Sequence, residues 1–153
     1  MKRVFLIVLD SFGMTELIES SILLYGNDIR NQLKAPKFSE LYSDVKHHYE
    51  TIRKYAQNTR RSIYSFGWML DIARCIYTLH TGKIIAKTDA GQWALENNFC
   101  PVPDALKTAL KVRKSPLEFK KDESTLDYAQ TLGELIQKFA DVLEKKLEKY
   151  SCI

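Results

Sequence analysis

An all-α fold is predicted, an antiparallel up-and-down helical bundle behind a short strand-like leader, and three observations carry it. Apolar residues recur at helical spacing along three long stretches, around 38–58, 63–79 and 132–147. Glycine, proline and Ser/Thr/Asp residues stand at the ends of those stretches, where helices start and stop. The chain has 153 residues, 45% of them apolar, with no repeat, low-complexity tract or long linker, which suits one compact core. Three apolar stripes of this length bury against one another, and a bundle is the architecture that lets them.

Taken in order, residues 1–14 form the leader, and 15–153 a single helical-bundle domain. The run Val4 to Leu9 is continuously apolar and ends in Asp10, as a buried parallel-type strand would. It is too short for a signal peptide and has no small-residue cleavage site. A strand edge there offers a route to a homodimer. A short helix over Thr15–Ser20 leads to Ile22–Tyr25, a turn at Gly26 and a brief helical piece ending at Leu33. Pro36 precedes a helix from Phe38 to about Asn58, with Leu41, Val45, Tyr49, Ile52 and Tyr55 on its inner stripe. The next, Ser62–His80, carries Ile63, Phe66, Leu70, Ala73, Ile76, Tyr77 and Leu79, and Gly82 stops it. Helices follow over Asp89–Asn97, N-capped by Thr88, and over Asp104–Lys114, entered through Pro103. LEFKKDES reads as a loop. Ser124 opens a last helix to about Lys149, with Leu132, Leu135, Ile136, Phe139, Val142, Leu143 and Leu147 inward. Glu134 with Lys138 and Asp141 with Lys145 are spaced to pair on its outer face.

Candidate chemistry gathers in the loop between the second long helix and the next. Lys83 and Lys87 flank Ile84-Ile85-Ala86 and put two ammonium groups beside a helix N-terminus, whose free N–H groups also favour anions. The net charge of +4 is unevenly spread, with Arg53, Lys54, Arg60 and Arg61 in one segment and Lys107, Lys111, Arg113, Lys114, Lys120 and Lys121 in another. Such clusters suit phosphate-bearing partners. Aromatic residues are not interleaved with them as a base-stacking surface requires, which disfavours a nucleic-acid partner. The three cysteines are odd in number and in no CxxC pair, so neither disulfides nor zinc are indicated and a reducing, cytoplasmic setting is expected. No apolar run approaches a membrane span.

TGKIIAKTDAGQWALE, residues 81–96, resembles the TGKIxxKxxAxxWAxE signature in the helical C-terminal domain of the aminoglycoside (streptomycin/spectinomycin) adenylyltransferases. Upstream, SILLYGNDIRNQLKAP resembles the segment that follows the last strand of that family's catalytic domain, and the likeness runs from about Glu16 to Tyr150. The resemblance implies a domain that closes over the catalytic site of a separate N-terminal domain and helps to hold nucleotide and aminoglycoside. It implies a phosphate contact for Lys87 alone; Lys83 is a second candidate only through its place in the same loop. The catalytic half, as the resemblance has it, carries a Gly-Ser turn and paired aspartates that hold magnesium, and this chain has no Gly-Ser dipeptide and no Asp-x-Asp. The expectation is therefore a non-catalytic accessory domain, with no cofactor of its own. Mg-ATP would bind only alongside a catalytic domain, and the expected partner is a separate nucleotidyltransferase catalytic subunit or a second copy. RKYAQNTRRSIYS, residues 53–65, is basic where a cationic aminoglycoside would want carboxylates.

Other readings compete. MKRVFLIVLDSFGM resembles the start of phosphopentomutase, where Asp10 would bind a divalent metal, but nothing later supplies the further ligands such a site needs. Adjacent His47 and His48 diverge by about 100° on a helix and cannot share a metal, and Asp44 with His48 lacks a third ligand. Arg74 and His80 match the loose Arg-to-His spacing of the HEPN-type ribonucleases, in which arginine would stabilise the phosphorane and histidine act as acid or base. A stand-alone interaction subunit for a separate nucleotidyltransferase is the third alternative.

Overall fold

The computed structural model describes residues 9–150, and among them every regular element is helical. The strand expected over Val4–Leu9 lies outside the described residues, apart from Leu9. The first helix, α1 (Ser11–Ser20), starts four residues earlier than the sequence suggested because Asp10 caps it, its carboxylate accepting from the Gly13 N–H at 2.7 Å. The division drawn after residue 14 falls inside this helix, and Phe12 from the leader side is buried in the core.

A single 3₁₀ turn, Arg30–Gln32, follows, and then α2 (Phe38–Tyr55). At its start the Lys37 N–H donates to Glu40 Oε2 at 2.7 Å, while Leu41, Val45 and Ile52 are buried. Tyr55, expected on the inner stripe, is 60% exposed at the last position of α2, and the next residue, Ala56, is the one that enters the core. The second long helix is entered through a 3₁₀ turn, Ile63–Phe66, which passes into α3 (Gly67–Thr81). Gly82 ends α3 at φ +69°, the left-handed cap that its position predicted.

The helices α4 (Lys87–Glu96), α5 (Pro103–Lys114), α6 (Pro116–Phe119), α7 (Glu123–Gln130) and α8 (Gly133–Tyr150) complete the chain. The sequence reading differs from these in three places. α4 begins two residues early with Ala86, not Thr88, at its cap, so Lys87 belongs to the first turn. α6 is a single helical turn inside the supposed LEFKKDES loop, started by Pro116. The last helix is two: Asp122 rather than Ser124 caps α7, accepting from Thr125 N–H at 2.8 Å, and the chain breaks before Gly133. The first residue of α8 crosses close to the end of α2: at Gly133 a Cβ would collide with the backbone carbonyl of Gln57, so only glycine fits there.

α3 lies at the centre. α2 and α8 pack on it and on each other, and α4 and α5 pack together against its other side. Fourteen residues of α3 and α8 are buried, among them Met69, Ile72, Ile76, Ile136, Phe139 and Leu143, each fully enclosed. Asp141 does not pair with Lys145 as expected. Arg53 of α2 takes it at 2.5 Å, with Glu144 at 2.7 Å, and so ties α2 to α8.

Candidate anion-binding groove

Several residues of the 81–96 signature have a packing role. Gly82 turns the chain. Ala90 and Ala94 are fully buried, and a Cβ on Gly91 would stand 3.0 Å from both Leu70 Cδ2 and Leu110 Cδ2, so α4 can approach α3 and α5 closely. Trp93 joins Tyr77, His80 and Phe99 in an aromatic cluster, stacked on Phe99 with ring centroids 4.8 Å apart. Lys146 reaches over Phe99 at 4.2 Å, and burial followed by the neighbouring Lys149 charge pulls its ammonium below the usual lysine value. Close approach of α4 to α3 fixes the position of Lys87, whose Nζ lies 2.6 Å from Asp71 Oδ1 on α3. The two side chains retain 33% and 21% exposure, so the pair sits at a rim and not in the interior.

That rim belongs to a groove of about 640 Å³ formed by the end of α2, the 58–66 connection, the first turns of α3 and α4, and the end of α5. Tyr55, Tyr64 and Trp68 give it aromatic walls, and Arg60, Lys87 and Arg113 give it cations. Asp71 is its one carboxylate among the described residues, and Lys87 already holds it. The connection that presents Arg60 is pinned by its own hydrogen bonds. Ser65 Oγ donates to the Arg60 carbonyl at 2.7 Å, Ser62 N–H to the same oxygen at 2.8 Å, and Thr59 Oγ1 to the Gln130 carbonyl at 3.0 Å.

The basic clusters seen in the sequence are sorted by this geometry. Arg53 is bound to α8, Arg61 pairs with Glu123 and Asp127 of α7, Lys54 lies over the Tyr55 ring, and Lys107 pairs with Asp104. The six that remain have no acidic partner among the described residues; Arg60 and Arg113 line the groove, whereas Lys111, Lys114, Lys120 and Lys121 lie outside it. Tyr64 at 83% exposure and Trp68 were not singled out by the sequence, nor was Asp71, whose link to Lys87 no spacing announces. Arg113 was one of six basic residues in a run, and only the packing of α5 beside α3 and α4 brings it to the groove.

Lys83 does not join Lys87. It is exposed on the α3–α4 connection, outside the groove, with its own N–H bonded to Thr81 Oγ1 at 3.1 Å. Arg74 and His80 are not brought together either. The Arg74 guanidinium pairs with Glu16 at 2.8 Å and lies over the Phe12 ring at 5.0 Å, anchoring α1. His80 is exposed at the other end of α3 against Trp93 and Phe99. Asp10 is spent as a helix cap. Among the described residues no three of His, Cys, Asp and Glu converge as a metal site would need. Nor is any described helix long and apolar enough to cross a membrane.

The family model described as the aminoglycoside adenylyltransferase C-terminal domain matches residues 38–146, from the first residue of α2 into α8. The chain belongs to this family. No curated protein and no solved structure matches it. The matched span includes every residue of the groove, so the site described above lies wholly within the aminoglycoside adenylyltransferase C-terminal domain.

Proposed function

We propose that this aminoglycoside adenylyltransferase-type C-terminal domain is a nucleotide- and substrate-binding accessory domain that acts with a separate nucleotidyltransferase catalytic unit and does not catalyse transfer alone. One observation carries the reading: Lys87 stands in the first turn of α4 on the rim of a groove whose charge balance is positive and whose walls are aromatic. A nucleotide offers phosphates to such cations and a flat base to such rings. The ammonium of Lys87 would exchange Asp71 for a phosphate oxygen as substrate arrives, which its partial exposure permits. Magnesium, when present, would bridge the phosphates and neutralise charge, and its ligands would come from the catalytic unit.

In a mixture of this chain with a catalytic nucleotidyltransferase domain, Mg-ATP binding followed by calorimetry should be far tighter than to the chain alone. Lys87→Ala should weaken it about tenfold, the loss of one charge-assisted contact. Unchanged binding by Lys87→Ala refutes the reading.

A further inference from the structure

We infer that residues 22–25 form a dimer interface, pairing as an antiparallel strand with the same segment of a second copy of this chain. The inference is independent of the accessory-domain reading and concerns the segment that leaves α1, not the groove beside Lys87. Ser21 exits α1 with extended backbone, φ −74° and ψ 151°, and four apolar residues follow before Gly26 turns the chain at φ +91°. Ile22, Leu24 and Tyr25 are 84%, 92% and 97% exposed, and Leu23 is half-exposed. Among the described residues, no backbone hydrogen bond uses an N–H or C=O of residues 22–27. An apolar segment with its ladder groups free is a template for another strand. Its base is fixed, because Arg30 Nη1 donates to the Ser21 carbonyl at 2.8 Å while the same guanidinium is paired with Asp28.

Charge and shape point to a second copy as the partner. At a two-fold axis each strand residue meets residues of its own segment, so any charge there would face a like charge. Residues 20–27 contain no Asp, Glu, Lys, Arg or His, in a chain that is 27% charged. Lysine and proline, the usual guards of a lone strand edge, are missing from them as well. Beside the strand lies an apolar groove of about 520 Å³, which starts at Ser20 and Ser21 and is walled by Leu9, Leu17, Ile84 and Ile85. Of its two carboxylates, Glu16 is neutralised by Arg74 and Glu19 is exposed to water. Knob and hole therefore adjoin on one surface, as a closed reciprocal pair requires. The area is sufficient too. At their exposures the four apolar residues offer on the order of 600 Å² per copy, and the lip of the groove brings this towards the roughly 800 Å² per partner that stable interfaces bury.

The test combines sedimentation velocity with hydrogen exchange read by mass spectrometry, on the full 153-residue chain across the micromolar concentration range. Monomer should give way to dimer over that range, and the amides of residues 22–25 should be protected from exchange only in the dimer. Leu24→Asp, which sets like charges together and removes an apolar contact, should weaken association at least about tenfold. Leu23→Pro and Leu24→Pro stay apolar but each deletes one N–H. Successive residues of an antiparallel pair alternate between bonded and unbonded positions, so one of the two should impair the dimer far more than the other. All three variants change side chains outside the core, and unchanged circular dichroism checks that they fold. A chain that stays monomeric throughout, a dimer that survives Leu24→Asp, or a dimer without protection at residues 22–25 overturns the inference. So does protection of that segment by an added nucleotidyltransferase catalytic domain at concentrations where the chain alone is monomeric, which would assign the strand to that unit instead.

Discussion

Replacing Asp71 by asparagine should push stability and anion affinity in opposite directions. The substitution keeps the side-chain shape and removes the groove's one carboxylate. In the folded protein Asp71 and Lys87 touch at 2.6 Å with 21% and 33% of their side chains exposed, and pairs so placed contribute up to about 1 kcal/mol. For a domain of this length, a loss of that size lowers the melting temperature by roughly 2–4 °C. Affinity should rise. A phosphate oxygen taking over the ammonium would stand about 4 Å from the Asp71 carboxylate, a repulsion of roughly 1 kcal/mol in bulk water and about 4 kcal/mol at an effective dielectric of 20. Removing even the smaller repulsion tightens pyrophosphate binding about fivefold, and the gain should shrink as salt screens it. Metal-free titration at low salt, beside a thermal melt of the same sample, measures both. If Asp71→Asn weakens pyrophosphate or leaves it unchanged, the carboxylate positions Lys87 for its ligand, and the competition argued here is wrong.

Three further outcomes follow from other parts of the molecule. Gly133→Ala should lower the melting temperature by roughly 6–10 °C, about 2–3 kcal/mol, since the new methyl meets the Gln57 backbone rather than a side chain able to move; a drop under 2 °C refutes the crossing geometry. His48 packs edge-on against Phe12, and its imidazole falls below the ordinary value of 6.5 chiefly through burial, with Arg74 adding to the effect and Asp71, Asp10 and Asp44 opposing it. The unfolded chain then takes up the proton first as pH drops, so stability should be whole above pH 6.5 and decline below it, and chemical denaturation of His48→Gln across that range should show a flatter profile. Burial pushes the Cys75 thiol up to about 12 and the Cys100 thiol up to about 11, so at pH 8 iodoacetamide should modify neither in the native protein and both in denaturant, as read by peptide mass mapping.

The fold was legible wherever a stripe of apolar residues met a terminator. α3 ends at Gly82 and α5 begins at Pro103 as expected, because a left-handed cap and a prolyl first turn are local properties. The break between α7 and α8 was not legible. The 124–147 stretch is periodic on both sides of it, and the neighbour that demands glycine at 133, the Gln57 carbonyl, is 76 residues away in sequence. The same distinction separates the site residues. Lys87 stood out through a local signature, whereas Asp71 and Arg113 acquire meaning only when α3, α4 and α5 pack together.

Arg60 and Arg61 show most sharply why a count of basic residues is a poor guide to a site. Adjacent in sequence, identical in chemistry and both exposed, they point to different neighbours because Ser62 and Ser65 lock the intervening backbone onto the Arg60 carbonyl. The lock sends Arg61 to the carboxylates of α7, where it fastens the 58–66 connection to the bundle. Arg60 is thereby held out over the groove on a segment already anchored by its neighbour, so ligand binding need not order that backbone first. An anion meeting Arg60 therefore forfeits little conformational entropy, and affinity should suffer when the anchor, rather than the contact, is removed. Arg61→Ala removes no lining residue of the groove, yet it should weaken pyrophosphate binding measurably through loosening of residues 58–66, whereas Arg53→Ala, which unties α2 from α8 and also removes no lining residue, should leave it unchanged.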